Sequence, residues 1–233
     1  ANPLRGKATS TTFSTETPEA GAHAAVLVGI IDKGTHTEEV KDEKTGKVQN
    51  KDLRKILLVW ELTDAPMSGT TNNHVVYREY SLSYHKMGKL RQLAESLRGK
   101  PYGDDEPIEY DRMLGIGCLV GLKHKTAAAS GRTYAVVDTV SKPMKGQVIP
   151  PAKHKPTLWF LDDDDLRNVS YDLIPSWVPF REGLISEIKA SHQIAGKRTG
   201  GQPAQAAARP DPARQEYAGA AVGDGQDSDE IPF

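Results

Sequence analysis

Five short apolar segments, each with the alternation of a β-strand, constrain the fold of this chain more than any other feature. The first covers residues 23–32, where Val26, Val28 and Ile30 recur with a period of two. Four later segments of similar character lie at 55–62, 75–83, 116–124 and 132–140. The sequence therefore predicts a mainly β protein with five strands.

One amphipathic helix is predicted between the third and fourth strands, over residues 85–99. Leu90, Leu93 and Leu97 fall on one face of it, and Gly99, followed two residues later by a proline, ends it. The resulting order, β-β-β-α-β-β, is that of the five-stranded OB barrel. That fold binds oligonucleotides on the face of its second and third strands and with the loops called L12 and L45. Five strands and one helix also suit other small folds.

Residues 33–55 are highly charged, which predicts either a long loop or the tip of an extended hairpin between the first two strands.

The stretch GIGCLVG (115–121) misses the dinucleotide-binding fingerprint by one residue and precedes no helix. Its glycines instead allow a strand to bend tightly around a small barrel.

The chain divides into five parts by composition. We expect a flexible N-terminal segment at 1–20, the OB-fold domain at 21–141 and an extension packed on the barrel at 142–195. Residues 196–223 consist almost wholly of Gly, Ala, Gln, Pro and Arg, and they cannot bury enough apolar surface to offset the entropy of ordering. They are predicted to be a disordered linker to an acidic tail at 224–233.

A second helix is predicted in the extension. Ser176 is suited to be its N-cap, and a proline is tolerated in the first turn at Pro179. The apolar stripe of this helix consists of Trp177, Leu184, Ile185 and Ile188.

The nearly neutral charge of the chain, with 30 Lys and Arg against 31 Asp and Glu, conceals a separation along the sequence. Residues 1–161 carry 23 basic and 18 acidic residues, a net charge of +5. Residues 162–195 carry 3 and 7, and residues 224–233 carry 0 and 4, so each of these parts has a net charge of −4. A mildly basic body that attracts nucleic acid is therefore compatible with the even total.

The content of cysteine and histidine excludes several kinds of site. Cys118 is the single cysteine, which excludes an internal disulfide framework and fits a reducing cytosol. No two of the seven histidines lie at metal-ligand spacing, and no apolar run reaches the roughly 18 residues of a membrane helix. We therefore expect a cytoplasmic protein without a membrane association, metal, cofactor or enzymatic activity.

The run Asp162–Asp165 is the one feature that favours an enzyme, because two-metal nucleases use clustered carboxylates. Such sites draw their ligands from separate elements of the fold, whereas four consecutive aspartates cannot all face one pair of ions. A metal-dependent nuclease is therefore the less favoured alternative.

The chain ends in DGQDSDEIPF (224–233), an acidic stretch followed by Ile-Pro-Phe. This ending resembles the acidic tip of bacterial single-stranded DNA-binding proteins, with the matching residues Asp227, Asp229, Glu230, Ile231, Pro232 and Phe233. Ser228 departs from the pattern, since the family usually has another acid there. In such a tip the terminal Phe can fill an apolar pocket, its carboxylate can pair with Arg or Lys, and the acids add longer-range attraction. An ordinary acidic solubilising tail is the alternative.

The body of the chain is similar to the single-stranded DNA-binding proteins encoded by tailed bacteriophages. The similarity covers about residues 20–195 and lies in the stretches GIIDKGTHTEE, LRKILLVWEL, YSLSYHKMGKLRQLAESLRGKP and GRTYAVVDTVS. It implies an OB fold, a role in replication or recombination, and a location in the cytoplasm of a bacterial host.

Binding a single strand without sequence preference requires aromatic faces for the bases and cations for the phosphates. The predicted strands and loops supply both in Lys33, Arg54, Lys55, Trp60, Tyr77, Arg78, Tyr80, Lys123, Lys125, Arg132 and Tyr134. Most of the cations cluster at the ends of the predicted loops L12 (33–55) and L45 (123–132), and Tyr84 follows the third strand.

The aromatic residues of this set have an alternative role in the core. Trp60 shares a strand face with Leu58, and Tyr134 alternates with apolar residues in the fifth strand. Tyr77 and Tyr80 lie on opposite faces of the third strand, so only one of them is suited to stacking. The pattern does not say which one.

The sequence predicts a protein that coats and protects single-stranded DNA during phage replication or recombination. Its acidic tail is expected to recruit partner proteins that act in the same processes. The main alternative is a protein-interaction module whose barrel does not bind DNA, and the metal-dependent nuclease is the other.

Overall fold

The computed structural model describes residues 16–41, 46–103, 105–128, 130–162, 166 and 168–198, and within them the protein is mainly β, as predicted. The strands are β1 (Gly21–Lys41), β2 (Val48–Pro66), β3 (Asn73–Ser81), β4 (Gly117–Thr126), β5 (Thr133–Ser141) and β6 (Thr157–Trp159). The helices are α1 (Lys89–Arg98), α2 (Arg181–Ala190) and α3 (His192–Arg198), with short 3-10 turns at Tyr110–Met113 and Tyr171–Leu173. None of the helices in this described part is long and apolar enough to cross a membrane.

The six strands form one sheet. Five of them follow one another in the order β3-β2-β1-β4-β5, which we call the sheet path, and β6 joins the sheet by pairing with β1. β4 runs antiparallel to both β1 and β5. The strands β3 and β5 are thus the first and the last of the path. The predicted order of three strands, one helix and two strands is confirmed, and β6 is added to it.

The charged residues between the first two strands extend a hairpin rather than forming a long loop. β1 continues to Lys41 and β2 begins at Val48, so both strands run beyond the apolar segments that predicted them. Residues 25–32 and 56–62 are buried, whereas residues 46–52 are exposed. The buried parts carry the hydrophobic signal, and the polar parts join the sheet through backbone hydrogen bonds, which leave no such signal.

The second predicted helix begins later than the sequence indicated. α2 starts at Arg181, and the residue before it, Phe180, has a left-handed backbone with a φ of 52°. Val178 precedes a proline, and a proline ring disfavours helical backbone in the residue before it. A helix that started after Ser176 would require helical backbone at Val178, so the prediction of Ser176 as N-cap was wrong.

The described residues form two compact units that interleave along the sequence. The first contains the residues up to Gly29 together with Leu58–Arg78 and Gln92–Pro156. The second contains Ile30–Leu57, Glu79–Arg91 and the residues from Thr157 onward. β1, β2, β3 and α1 therefore each contribute residues to both units. The division of the chain at residues 141 and 195 stays a prediction from composition.

In the first unit, one face of the sheet builds an apolar core. The alternation of β4 places Cys118, Val120 and Leu122 on this face, and all three are buried. Val137 of β5 pairs with Leu122 and is buried with it. Burial raises the pKa of the Cys118 thiol to about 12 despite the nearby Trp60, so this thiol stays protonated at neutral pH.

A buried carboxylate of the first unit holds the chain that follows β5. Glu61 of β2 is fully buried and accepts hydrogen bonds from the backbone N–H groups of Lys153 (2.9 Å) and His154 (2.8 Å). Glu61 also lies within hydrogen-bond distance of Nδ2 of Asn73 (2.7 Å) and Nδ1 of His154 (2.8 Å). Burial raises the pKa of Glu61, but the bonds from His154 and Lys153 outweigh it and hold the pKa below its usual value.

Two glycines of β4 lie where neighbouring residues approach closely. A Cβ at Gly117 would lie 2.9 Å from Cβ of Ile149, and a Cβ at Gly121 would collide with Oγ1 of Thr139. The register of β4 with β5 shifts between Gly121 and Leu122, which marks a β-bulge. The glycines of the GIGCLVG stretch thus permit close packing and an irregular strand pair, and a tight bend around a small barrel stays a prediction.

Gly121→Ala should lower the free energy of unfolding by about 1–3 kcal/mol, because the added methyl group overlaps with Thr139 in a closely packed strand pair. Gly183→Ala is the control. A Cβ at Gly183 in α2 has nothing within 4 Å, so this change should raise the free energy of unfolding by about 0.5–1 kcal/mol. Urea unfolding measures both effects, and equal stability of the two variants would contradict this account of Gly121.

In the second unit, another buried carboxylate ties later residues to the sheet. Asp32 of β1 is fully buried and accepts hydrogen bonds from Nη2 of Arg54 (2.6 Å) and the N–H of Leu161 (3.3 Å). Arg54 Nη2 also donates to the carbonyl of Leu161 (3.1 Å). α3 is joined to β1 through Gln193, whose Oε1 accepts from the N–H of Thr35 (2.9 Å). The buried residues of α2 are Leu184, Ile185 and Ile188.

Candidate nucleic-acid interface

The hairpin of β4 and β5 places two predicted cations and one predicted aromatic residue on the same face. Lys125 pairs with Tyr134, and Lys123 pairs with Val136, in the antiparallel register. Directly paired residues, and residues two apart in one strand, share a face of the sheet. This face is opposite to the one on which Leu122 is buried. Lys123, Lys125 and Tyr134 therefore form one surface.

Arg132 lies at the turn of the same hairpin. The N–H of Ala127 donates to the carbonyl of Arg132 (2.9 Å), and the N–H of Gly131 donates to the carbonyl of Ala127 (2.8 Å). Gly131 has a φ of 66°, which residues with a Cβ rarely adopt. A turn is thus present where the sequence predicted one, and it leaves Arg132 exposed. We call the following residues the hairpin surface: Lys123, Lys125, Arg132 and Tyr134.

The carboxylate of Asp138 lies beside the hairpin surface. Nζ of Lys123 lies 2.9 Å from Oδ2 of Asp138, and the Lys123 side chain is 68% exposed. An ion pair this exposed contributes at most about 1 kcal/mol, so a phosphate can replace Asp138 as the partner of Lys123. Lys123, Lys125 and Arg132 carry three positive charges, and Asp138 carries one negative charge.

Arg78 is engaged with the backbone of β5. Its Nη1 donates to the carbonyl oxygens of Val137 (3.0 Å) and Asp138 (3.1 Å), beside the bulge. The side chain thereby joins β3 to β5, the first and last strands of the sheet path. Because its guanidinium group is used in this contact, we leave Arg78 out of the hairpin surface.

The other predicted aromatic residues divide by burial. Trp60 is fully buried and Tyr80 is buried, so neither presents a ring face to solvent. Tyr77, like Tyr134, is half-buried. Of the two tyrosines on opposite faces of β3, Tyr77 is therefore the one that is suited to stacking.

Two of the cations predicted for loop L12 are paired with carboxylates. Lys33 contacts Glu79 and lies 2.6 Å from Oε2 of Glu187, and Lys55 lies 2.7 Å from Oε2 of Glu38. Burial lowers the pKa of Lys33, but the two neighbouring glutamates outweigh it, so the pKa is raised and the lysine stays charged. Two lysines among three glutamates give no net positive charge to attract phosphate, and their contacts join neighbouring elements.

Arg54, the third of these cations, is held by the buried Asp32. Sequence reasoning missed the carboxylates that engage the L12 cations, chiefly Asp32 and Glu79. The sequence held one signal that could have found them: Asp32 and Glu79 lie within predicted strands, next to a strand that carries cations. We therefore assign Arg54, Lys33 and Lys55 to the stability of the fold.

The predicted docking residues of the tail lie outside the described residues: Asp227, Asp229, Glu230, Ile231, Pro232 and Phe233. Three of the four aspartates in the run at 162–165 lie outside them as well. Among the residues that the structure does describe, no group of three or more His, Cys, Asp or Glu side chains could hold a metal ion.

No family model matches the chain, and a search of curated proteins finds no similar sequence. The resemblance to phage single-stranded DNA-binding proteins therefore stays an expectation from the sequence. The function proposed below rests on the residues and on their geometry.

Proposed function

We propose that this protein binds single-stranded DNA without sequence preference and that the hairpin surface is its contact site. The observation that carries the proposal is the pairing of Lys125 with Tyr134, near Lys123 and Arg132 on one hairpin. The tyrosine ring can stack on a base while the cations neutralise neighbouring phosphates. The proposed role is to coat and protect the strand, and it includes no enzymatic step.

An OB-type barrel is the proposed scaffold. The sheet has the order β3-β2-β1-β4-β5. An OB barrel has this same order when it is drawn flat after a cut between β3 and β5. The contact of Arg78 with the β5 carbonyls supports this, because it requires β3 and β5 to lie within reach of one side chain. In an OB fold the hairpin surface belongs to L45, a loop that contacts oligonucleotides.

The proposed role of the tail is to recruit partner proteins. Residues 224–233 combine four acids with a terminal Ile-Pro-Phe. A partner that fits this peptide has an apolar pocket bordered by Arg or Lys, and we expect it among replication or recombination proteins.

Fluorescence anisotropy of a labelled oligo-dT tests the proposal. We expect binding that weakens steeply as salt is added, and weaker binding of a duplex of equal length, whose bases are not free to stack. Quenching of intrinsic tryptophan fluorescence is a poorer readout, because Trp60 and Trp159 are buried. Unchanged anisotropy at every salt concentration would contradict DNA binding and favour the protein-interaction module.

Deletion of residues 224–233 should tighten the binding of oligo-dT, most strongly at low salt. The tail carries a net charge of −4 and residues 1–161 carry +5, so a free tail competes with DNA for the basic surface. Neutralising the four acids of the tail should have the same effect, whereas Phe233→Ala should leave DNA affinity unchanged. Equal affinity of the full and shortened chains at every salt concentration would contradict this competition.

A further inference from the structure

The loop between β3 and α1 carries an exposed aromatic residue in a stretch without acids. Residues 80–91 contain three Lys and Arg residues but neither Asp nor Glu. Tyr84 is 58% exposed and Met87 is 55% exposed, although both are large residues that proteins usually bury at least in part. Lys86 in the same loop and Lys89, the first residue of α1, are exposed as well. An aromatic ring thus lies beside two cations in the sequence, all of them accessible to a ligand.

Hydrogen bonds hold the backbone at Tyr84 and directly after it. The N–H of Met87 donates to Nδ1 of His85 (3.2 Å), and the N–H of Gly88 donates to the carbonyl of His85 (2.8 Å). Nη1 of Arg91 donates to the carbonyl of Tyr84 itself (3.3 Å). A loop that is already fixed in this way loses little conformational entropy when a ligand binds to it.

We propose that this loop is a second contact for single-stranded DNA, in which Tyr84 stacks on a base and Lys86 and Lys89 contact neighbouring phosphates. The inference rests on the proposed function and extends it, because none of these residues belongs to the hairpin surface. Stacking on an aromatic face is tolerant of sequence, and each neutralised phosphate releases counterions. The ligand chemistry is therefore the same as at the hairpin surface.

Tyr84→Ala tests the aromatic contact. The affinity for labelled oligo-dT should fall about 5- to 100-fold, as expected when a stacking aromatic residue is replaced by alanine. Tyr84→Phe should bind as the wild type does, because it keeps the ring. Phe160→Ala is the control, since Phe160 is an exposed aromatic residue outside the loop, and it should leave the affinity unchanged.

A double variant, Lys86→Ala with Lys89→Ala, tests the phosphate contacts. The slope of log affinity against log salt should fall by about 1.4, because each phosphate contact on a single strand contributes about 0.7. Lys100→Ala with Lys145→Ala removes the same charge from exposed positions and should leave the slope unchanged.

Acetylation of lysines in the wild-type protein, read by mass spectrometry, gives an independent test that needs no variant. Oligo-dT should protect Lys86 and Lys89 but not Lys100 and Lys145. If the wild type binds oligo-dT while the loop variants keep their affinity and slope, or while Lys86 and Lys89 stay reactive, the loop is not a contact and the proposed function stands. If the wild type does not bind oligo-dT, both proposals fail.

Discussion

Glu61→Gln should lower the free energy of unfolding by about 3 kcal/mol at pH 7, since hydrogen bonds to a charged group contribute about 1.5–3 kcal/mol each. Both carboxylate oxygens of Glu61 accept hydrogen bonds, and the residue is inaccessible to solvent. A glutamine has one acceptor oxygen, and its NH₂ group would face the N–H donors of Lys153 or His154. Each buried donor left without an acceptor costs a further ~1–3 kcal/mol.

Urea unfolding monitored by circular dichroism measures this loss. Glu109→Gln is the matched control, because Glu109 is exposed and its replacement should change the free energy of unfolding by less than about 0.5 kcal/mol. A loss for Glu61→Gln as small as that of the control would show that this carboxylate does not hold residues 153–154 to β2.

The effect of Glu61→Gln should shrink in acid. The pKa of Glu61 in the folded protein lies below the usual value of 4.5, so its ionised form contributes stability that is fully present above that pH. This contribution is lost as the pH falls through the lower pKa of the folded state, whereas glutamine does not titrate. The difference in the free energy of unfolding between wild type and variant should therefore narrow below pH 4.5. A difference that widens below that pH would contradict the lowered pKa of Glu61.

Replacing Lys123, Lys125 and Arg132 together with alanine should remove most of the affinity for oligo-dT. Three lost phosphate contacts should lower the slope of log affinity against log salt by about 2, and the affinity at low salt by about 100-fold or more. The control replaces three exposed cations elsewhere, Lys100, Arg112 and Lys145, and should change the slope by far less. Equal slopes for the two triple variants would contradict the hairpin surface.

Tyr134→Ala distinguishes stacking from a role in the core. If Tyr134 stacks on a base, the affinity falls about 5- to 100-fold with little loss of stability, and Tyr134→Phe binds as the wild type does. If the ring belongs to the core, the free energy of unfolding falls by about 3–5 kcal/mol and the folded protein keeps its affinity. Anisotropy and urea unfolding of the same samples separate the two outcomes.

The apolar alternation located the five predicted strands because their central residues form the buried core. It did not show how far β1 and β2 continue, since the exposed residues 46–52 are largely polar and carry no apolar alternation. β6 has three residues, which is too short for a period of two to be recognised. The start of α2 was misplaced because a good N-cap at Ser176 was given more weight than the restriction that a proline imposes on Val178.

The sequence could not show which cations stay exposed, because the exposure of a cation depends on its neighbours in other strands. Lys55 and Lys123 each lie at the end of a predicted loop, yet the side chain of Lys55 is 13% exposed and that of Lys123 is 68% exposed. The aromatic residues pose the same problem. Trp60 lies in a strand segment that is buried on both faces, whereas Tyr134 lies close to an exposed turn. Both alternate with apolar residues, so periodicity alone does not separate them.

Ultraviolet cross-linking of oligo-dT to the full chain, followed by mass spectrometry of the peptides, tests the central claim most directly. It leaves the protein unchanged, so no loss of folding can imitate a loss of binding. We expect cross-linked thymidine at Tyr134 and in the peptides that contain Lys125 and Arg132. Cross-links confined to other parts of the chain, under conditions where oligo-dT binds, would contradict the hairpin surface as the DNA contact.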